Sequence, residues 1–336
     1  MDWLDKRIIT RLLGNCRESF RNIAREFRVT CPTIIARANR LRQWGVIQRY
    51  IAELSQEMMG VEWYLAELKT DGTESQMDLF QQFEANECIG EVMMLGKGRY
   101  LILAEIAPSE RSGFESCISK LDGIESFEVD RISPVANGVV DGSCKYTSSG
   151  GRTQLDEHQL KVLKYLAYNA RMSITEISDL TGFSPKMISE TIHEFQECSG
   201  INLTLRLNLP SSGGVNFMLK YRLNERSTGP KDAAEFMTDI YPEEHWFTFY
   251  NEDRSEMLHY MTVKHVKDLG FVSKEISNLP YAEDVNARII FSTMKSEGRM
   301  NSYLIKNIGN LSAESRETSY FLDKTAHCPS SVQVNN

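Results

Sequence analysis

Several features that would assign a class at once are missing from this chain. No apolar run approaches the roughly 18 to 20 residues that span a bilayer. The start, Met1-Asp2-Trp3-Leu4-Asp5-Lys6-Arg7, has no apolar core of the secretory kind. A cytoplasmic chain with no membrane partner is therefore expected. The 7 cysteines are scattered and none stands in CxxC spacing, so neither a zinc site nor a disulfide framework is indicated. Histidine is absent before residue 158. No phosphate loop, nucleophile–base pair or carboxylate pair is evident, so no catalytic residue, metal or cofactor is expected. An excess of positive charge is missing too: 38 Lys and Arg stand against 46 Asp and Glu, a net −8 that at first argues against nucleic acid.

The distribution of that charge reverses the impression. Residues 1–50 hold 11 Lys/Arg and 4 Asp/Glu, a balance of +7, which leaves −15 for the rest of the chain. Such segregation implies one cationic surface suited to a polyanion.

The chain also repeats itself. At an offset of 154 residues, Ile8 matches Val162, Leu12 matches Leu166, Arg17 matches Arg171 and Ser19 matches Ser173. Ile23/Ile177, Ile34/Ile188, Ile47/Ile201, Val61/Val215 and Leu95/Phe249 continue the series, which reads as a tandem duplication. Each copy begins with three short helices and a strand. In the first, Ile8, Ile9 and Leu12 share a helix face, Ser19 caps a helix with Ile23, Ala24 and Phe27 inward, and Thr30 caps a third with Ile34, Ala38 and Leu41 inward. Gly45 stops the third helix, and Val46 to Leu54 forms the wing. In the second copy, Ser173-Ile174-Thr175-Glu176 is a capping box and Ser184 caps the third helix. Each copy then runs strand, helix, strand, strand, helix, strand, the βαββαβ order of the ferredoxin-like split motif.

The fold class expected is thus α+β, a tandem repeat of winged helix-turn-helix plus ferredoxin-like βαββαβ domain. The domains fall at 1–54, 55–135, 155–209 and 210–298, with a Gly/Ser-rich linker at 136–154 and a polar, flexible tail at 312–336.

The order of modules resembles the Lrp/AsnC (feast/famine) regulators. Leu4-Asp5-Lys6-Arg7-Ile8-Ile9, Arg17-Glu18-Ser19-Phe20-Arg21-Asn22-Ile23-Ala24, Val29-Thr30-Cys31-Pro32-Thr33-Ile34, Asn39-Arg40-Leu41 and Gly45-Val46-Ile47 carry the resemblance. It implies a transcription regulator, here in tandem-duplicated form, which dimerises through its ferredoxin-like domains.

A recognition helix presents its outward residues to the major groove while flanking cations hold phosphates. Double-stranded DNA is the expected partner, with Thr30, Pro32, Thr33, Arg37 and Arg40 at the third helix and Arg17, Arg21, Arg42 and Arg49 as backbone clamps. The second head spans five Lys/Arg and seven Asp/Glu over 152–201 and exposes Lys186, Glu190, His193 and Glu194, so it is expected to have lost specific DNA binding. One reading head per chain requires two chains for a palindrome, hence a homodimer or higher homo-oligomer. In the resembled family a Gly-x-Tyr-Asp turn contributes to a small-molecule site; here Gly96, Gly98 and Tyr100 fit, but Leu101 replaces the acid. The competing class is a siroheme-decarboxylase-like enzyme, whose double-length forms match this size and whose second module carries histidines, as His245 and His259 do here.

Overall fold

The computed structural model describes residues 1–121, 123–135, 155–198, 200–296 and 298–308. The expected linker at 136–154 and tail at 312–336 lie outside the described residues.

Local chemistry sets the first head. Asp2 and Asp5 form a capping box on α1 (Trp3–Gly14). Ser19 accepts from the Asn22 amide at the start of α2 (Phe20–Glu26). Thr30 accepts from the Thr33 amide at the start of α3 (Cys31–Gln43), where Pro32 removes an amide that the first turn would leave orphaned. Gly45, at φ +76°, turns the chain out of α3 into β1 (Ile47–Leu54). Ile8, Ile9, Leu12, Ile23, Ile34 and Leu41 close a core from which water is excluded.

A single turn, α4 (Gln56–Met59), leads into the first ferredoxin-like domain: β2 (Glu62–Thr70), α5 (Gln76–Glu84), β3 (Ile89–Gly96), β4 (Arg99–Ile106), α6 (Arg111–Ile118) and β5 (Ile124–Pro134). Copy two repeats the plan. Its head is α7 (Glu157–Tyr168), α8 (Ile174–Thr181), α9 (Pro185–Glu197) and β6 (Ile201–Leu207). Its second domain is β7 (Val215–Leu223), α10 (Pro230–Ile240), β8 (His245–Asn251), β9 (Glu256–Val263), α11 (Val266–Ser277) and β10 (Ala282–Ile290). Two further elements follow, β11 (Ser292–Lys295) and α12 (Gly298–Ile308). Neither was expected; α12 packs Met300, Tyr303, Leu304 and Ile308 on the core.

The two copies pair with each other. The wings β1 and β6 join as an antiparallel ribbon, from Leu54 opposite Ile201 to Ile47 opposite Leu207. The remaining strands form one sheet in the order β10-β7-β9-β8-β5-β2-β4-β3-β11. Within it each domain keeps the ferredoxin-like order, and the end of each fourth strand crosses to the other copy. Ser133 and Pro134 of β5 pair with Tyr250 and Phe249 of β8, while β11, reached from β10 through Phe291, pairs with β3. β10 and β11 are thus the two ends of the sheet, joined in the chain through Phe291.

Three apolar cores result. One lies between α5, α6 and the first domain's strands, around Phe83, Ile102 and Phe114. A second lies between α10, α11 and the second domain's strands, around Phe217, Met237 and Ile276. The third runs between the two sheet faces and into both heads, and includes Trp63, Leu65, Trp246, Leu258 and Tyr260. Ion pairs bridge the same seam: Lys220 and Arg288 to Glu67, and Arg254 to Glu128 and Asp130. The two ferredoxin-like domains thus pair with each other within one chain.

Candidate nucleic-acid interface

Burial of Ile34, Ala38 and Leu41 turns the opposite face of α3 outward. Pro32, Ile35 and Ala36 are exposed there, and Thr33, Arg37 and Arg40 are half-buried. The Thr30 hydroxyl is engaged by the cap and lies 2.8 Å from that of Thr33. Arg37 and Arg40 do not point freely into solvent. Arg37 donates to both oxygens of Asp2 at 2.7 Å and to Asp5 at 2.8 Å. Arg40 donates to both oxygens of Asp5 at 3.1 Å and stacks its guanidinium 4.8 Å from the Trp44 ring. The α1 capping box thus also carries the two arginines expected to read bases. Sequence reasoning missed this second role, although Asp2 and Asp5 stand in capping spacing in the sequence itself.

The expected clamps divide. Arg21 and Arg42 are exposed, the latter 5.8 Å from the Tyr50 ring. Arg17 is turned inward instead, donating to the carbonyls of Ala170 and Met172 in copy two. Arg49 is half-buried in the wing ribbon opposite Arg206, and burial lowers its pKa. These two stand at the seam between the heads because the wing pairing, which local sequence does not encode, draws them there.

Head two has a different surface. On α9, Lys186 lies near Glu190, His193 lies near Glu197, and Gln159 of α7 donates to Glu194. The outward face of this helix is largely acidic.

The residues of the expected effector turn hold the β3–β4 hairpin. Gly98 has φ +70°, and a Cβ there would meet the Thr70 carbonyl at 2.9 Å. Gly96 has φ +134° and faces Phe291 at the β10–β11 junction. Tyr100 is buried, and its hydroxyl donates to Glu74 at 2.7 Å; burial and that bond push the phenol well above its ordinary pKa.

His245 and His259 are fully enclosed in the second domain. Thr248 Oγ1 lies 2.9 Å from His245 Nε2 and 3.0 Å from His259 Nδ1, while Tyr221 stacks on His259. Burial holds His245 well below its ordinary pKa and lowers His259 to about 3, so both rings stay neutral. Among the described residues no cluster of three or more His, Cys, Asp or Glu could hold a metal.

Comparison with known proteins agrees with this geometry. Residues 1–42 match the AsnC-type helix-turn-helix domain, and residues 155–197 match a winged helix-turn-helix DNA-binding domain. An uncharacterised HTH-type transcriptional regulator of Pyrococcus furiosus is 23% identical over 140 residues, covering 40% of this chain and 94% of the relative. Another, from Pyrococcus abyssi, is 40% identical over 62 residues, 18% of this chain and 42% of that relative. The crystal structure of the siroheme decarboxylase NirDL matches 90% of this chain and 98% of its own with a TM-score of 0.55 at 12% identity, which shows a shared two-copy fold. The chain is a double winged-helix protein with paired ferredoxin-like domains. Its N-terminal head carries the AsnC-type helix-turn-helix domain.

Proposed function

We propose that the protein is a cytoplasmic transcription regulator that reads double-stranded DNA with α3 of its first head. The observation that carries this reading is the cationic head itself: Arg37 and Arg40 stand on the outward side of α3, flanked by exposed Arg21 and Arg42, on a unit matching the AsnC-type domain. Thr33 and the two arginines contact base edges, while Arg21 and Arg42 hold phosphates. The acidic surface of α9 would repel phosphate, so the second head supports the first through the wing ribbon and does not read sequence. Two chains then bind a palindromic site. Sensing of a small molecule accompanies this activity. No helix among the described residues is long and apolar enough to cross a membrane. The testing experiment is DNA binding against salt on a selected genomic fragment. Wild type is expected to bind with a steep salt dependence, and the Arg37→Ala/Arg40→Ala variant to lose sequence preference. Weak, salt-labile sticking by wild type would end the reading.

A second reading, a siroheme-decarboxylase-like enzyme, has one supporting observation, the fold likeness to NirDL over the whole chain. Against it, the rings of His245 and His259 are sealed in a packed core and hydrogen-bonded to threonines and a tyrosine. A tetrapyrrole absorption band in the purified protein would favour the enzyme.

A further inference from the structure

Among the described residues the two copies also differ at an angle between head and ferredoxin-like domain. In one half, α12 packs into the angle between α7 of head two and β3 of the first ferredoxin-like domain. Arg299 of that helix pairs with Glu87 and Glu110, Ser302 donates to the Glu87 carboxylate, and the Gly298 backbone lies directly on Glu87. In the other half the same angle, between α1 of head one and the α10–β8 turn of the second domain, is, among the described residues, an open cleft of about 1070 Å³. The equivalence is visible in sequence: Glu87 stands two residues before β3, as Glu243 stands two before β8, and Glu243 lines the cleft.

The floor of the open cleft has changed accordingly. Leu160 of α7 is buried in the same apolar core as Leu304 of α12. Its counterpart at the 154-residue offset is Lys6, equally buried at 4% exposure. The Lys6 ammonium donates to the His245 carbonyl and lies 4.6 Å from the centre of the Trp246 ring. One acceptor and one ring face leave part of its donor capacity unused. Beside it Arg7 stacks 4.3 Å from Phe27. Among the described residues neither cation is paired with a carboxylate. A half-satisfied buried ammonium costs free energy unless an acceptor arrives, and an exposed guanidinium next to it offers a second, forked donor.

We propose that this cleft binds a small organic anion whose carboxylate or phosphate oxygens are held by Lys6 and Arg7. Thr10 and Asn22 line the same cleft and offer further hydrogen bonds, and Trp3, Phe27 and Pro242 give the organic part an apolar wall. The site lies away from the Gly96–Tyr100 turn. It sits one residue from Asp5, which holds Arg37 and Arg40, so an anion there acts on the turn of α1 that carries the reading arginines. Burial lowers Lys6 to about 7, with Glu244 and Glu243 pulling the other way and neutral His245 facing it. A bound anion favours the protonated amine, so binding takes up a proton and weakens as pH rises through neutrality.

The proposal rests on the sensing part of the proposed function, but its test needs no DNA. Citrate and inorganic pyrophosphate are titrated calorimetrically into the full chain. Heat with citrate assigns a carboxylate ligand, and heat with pyrophosphate a phosphate ligand. Arg7→Ala, at an exposed position, is expected to weaken the binding probe about tenfold. Lys6→Met is expected to do the same and to abolish the dependence on pH. Lys161→Ala, at the counterpart of Arg7 beside the filled angle, is expected to change nothing. Absence of binding by both probes overturns the proposal, as does an Arg7→Ala variant that binds like wild type or a Lys161→Ala variant that loses as much.

Discussion

Arg17 and Arg171 reach across the seam between the heads in opposite directions and make the same bonds. Arg17 donates to the carbonyls of Ala170 at 2.6 Å and Met172 at 2.9 Å, and Arg171 donates to those of Cys16 at 2.6 Å and Glu18 at 3.5 Å. All six residues obey the 154-residue offset, so a pseudo-twofold axis passes between the arginines. The duplication kept a reciprocal contact of the sort a symmetric dimer makes and enclosed it in one chain.

Each arginine caps two carbonyls of the opposite copy at a partly buried seam, so removing one takes a charged donor from both. Hydrogen bonds to charged groups are worth about 1.5–3 kcal/mol. Arg17→Ala and Arg171→Ala are each expected to cost about 2 kcal/mol in denaturant unfolding. The double variant should depart from additivity, because the two arginines support one seam. Arg21→Ala, on an exposed helix face, should stay within about 0.5 kcal/mol of wild type. Equal losses for Arg17→Ala and Arg21→Ala would show that Arg17 is not tied into the seam.

Asp5 is almost wholly buried and accepts from Arg37 and Arg40, so it sets the direction in which both guanidinium groups leave α3. Asp5→Asn removes one negative charge from the DNA-facing side and slackens both arginines. Binding to random duplex should strengthen, with a salt slope steeper by about one ion, while discrimination between the preferred site and random DNA should fall. A competition assay at two salt concentrations reads both quantities. Unchanged discrimination would place the sequence-reading elsewhere.

These elements also mark how far the sequence could be read. The caps at Ser19, Thr30, Ser173 and Ser184 and the apolar stripes they introduce are local signals, and each helix they predict is present. What the residues do not announce is nonlocal pairing. Nothing in β1 names β6 as its partner, and nothing in β5 names β8, because register between distant strands is chosen by the fit of whole surfaces. That pairing is what moved Arg17 and Arg49 from the expected DNA surface to the seam. Lys6 was hidden for the opposite reason. A lysine in a basic helix reads as solvated, and only its burial against Trp246 distinguishes it from its neighbours.

The buried histidines give stability a definite direction with pH. His259, lowered to about 3 in the fold, regains its ordinary affinity for protons on unfolding, so the unfolded chain binds more protons below about pH 6.5. Its contribution is complete above that value and falls as pH drops toward 3, at about 1.4 kcal/mol per pH unit. His245 acts in the same sense. Glu105, raised by burial to about 7, works the other way, losing its contribution as pH rises from 4.5 toward 7. His259→Gln should therefore flatten the acid limb of the stability curve measured by urea unfolding at a series of pH values. An acid limb of unchanged slope would mean that His259 is already charged in the fold.

The last expectation concerns how many chains a site recruits. Both heads of one chain are joined through β1 and β6, so each chain brings two helices of the reading type in a single unit. If both read DNA, one chain would span a palindrome. The surfaces differ, however: α3 presents Arg37 and Arg40, while α9 presents Glu190, His193 and Glu194 at its outward positions. Phosphates within a few ångströms of two carboxylates meet repulsion that salt screens only in part. A half-site duplex is therefore expected to bind one chain and the full palindrome two, as read by native mass spectrometry or sedimentation. Lys186→Ala, on the α9 face, should leave affinity unchanged. A palindrome saturated by a single chain, with affinity lost in Lys186→Ala, would mean that the second head reads sequence as well.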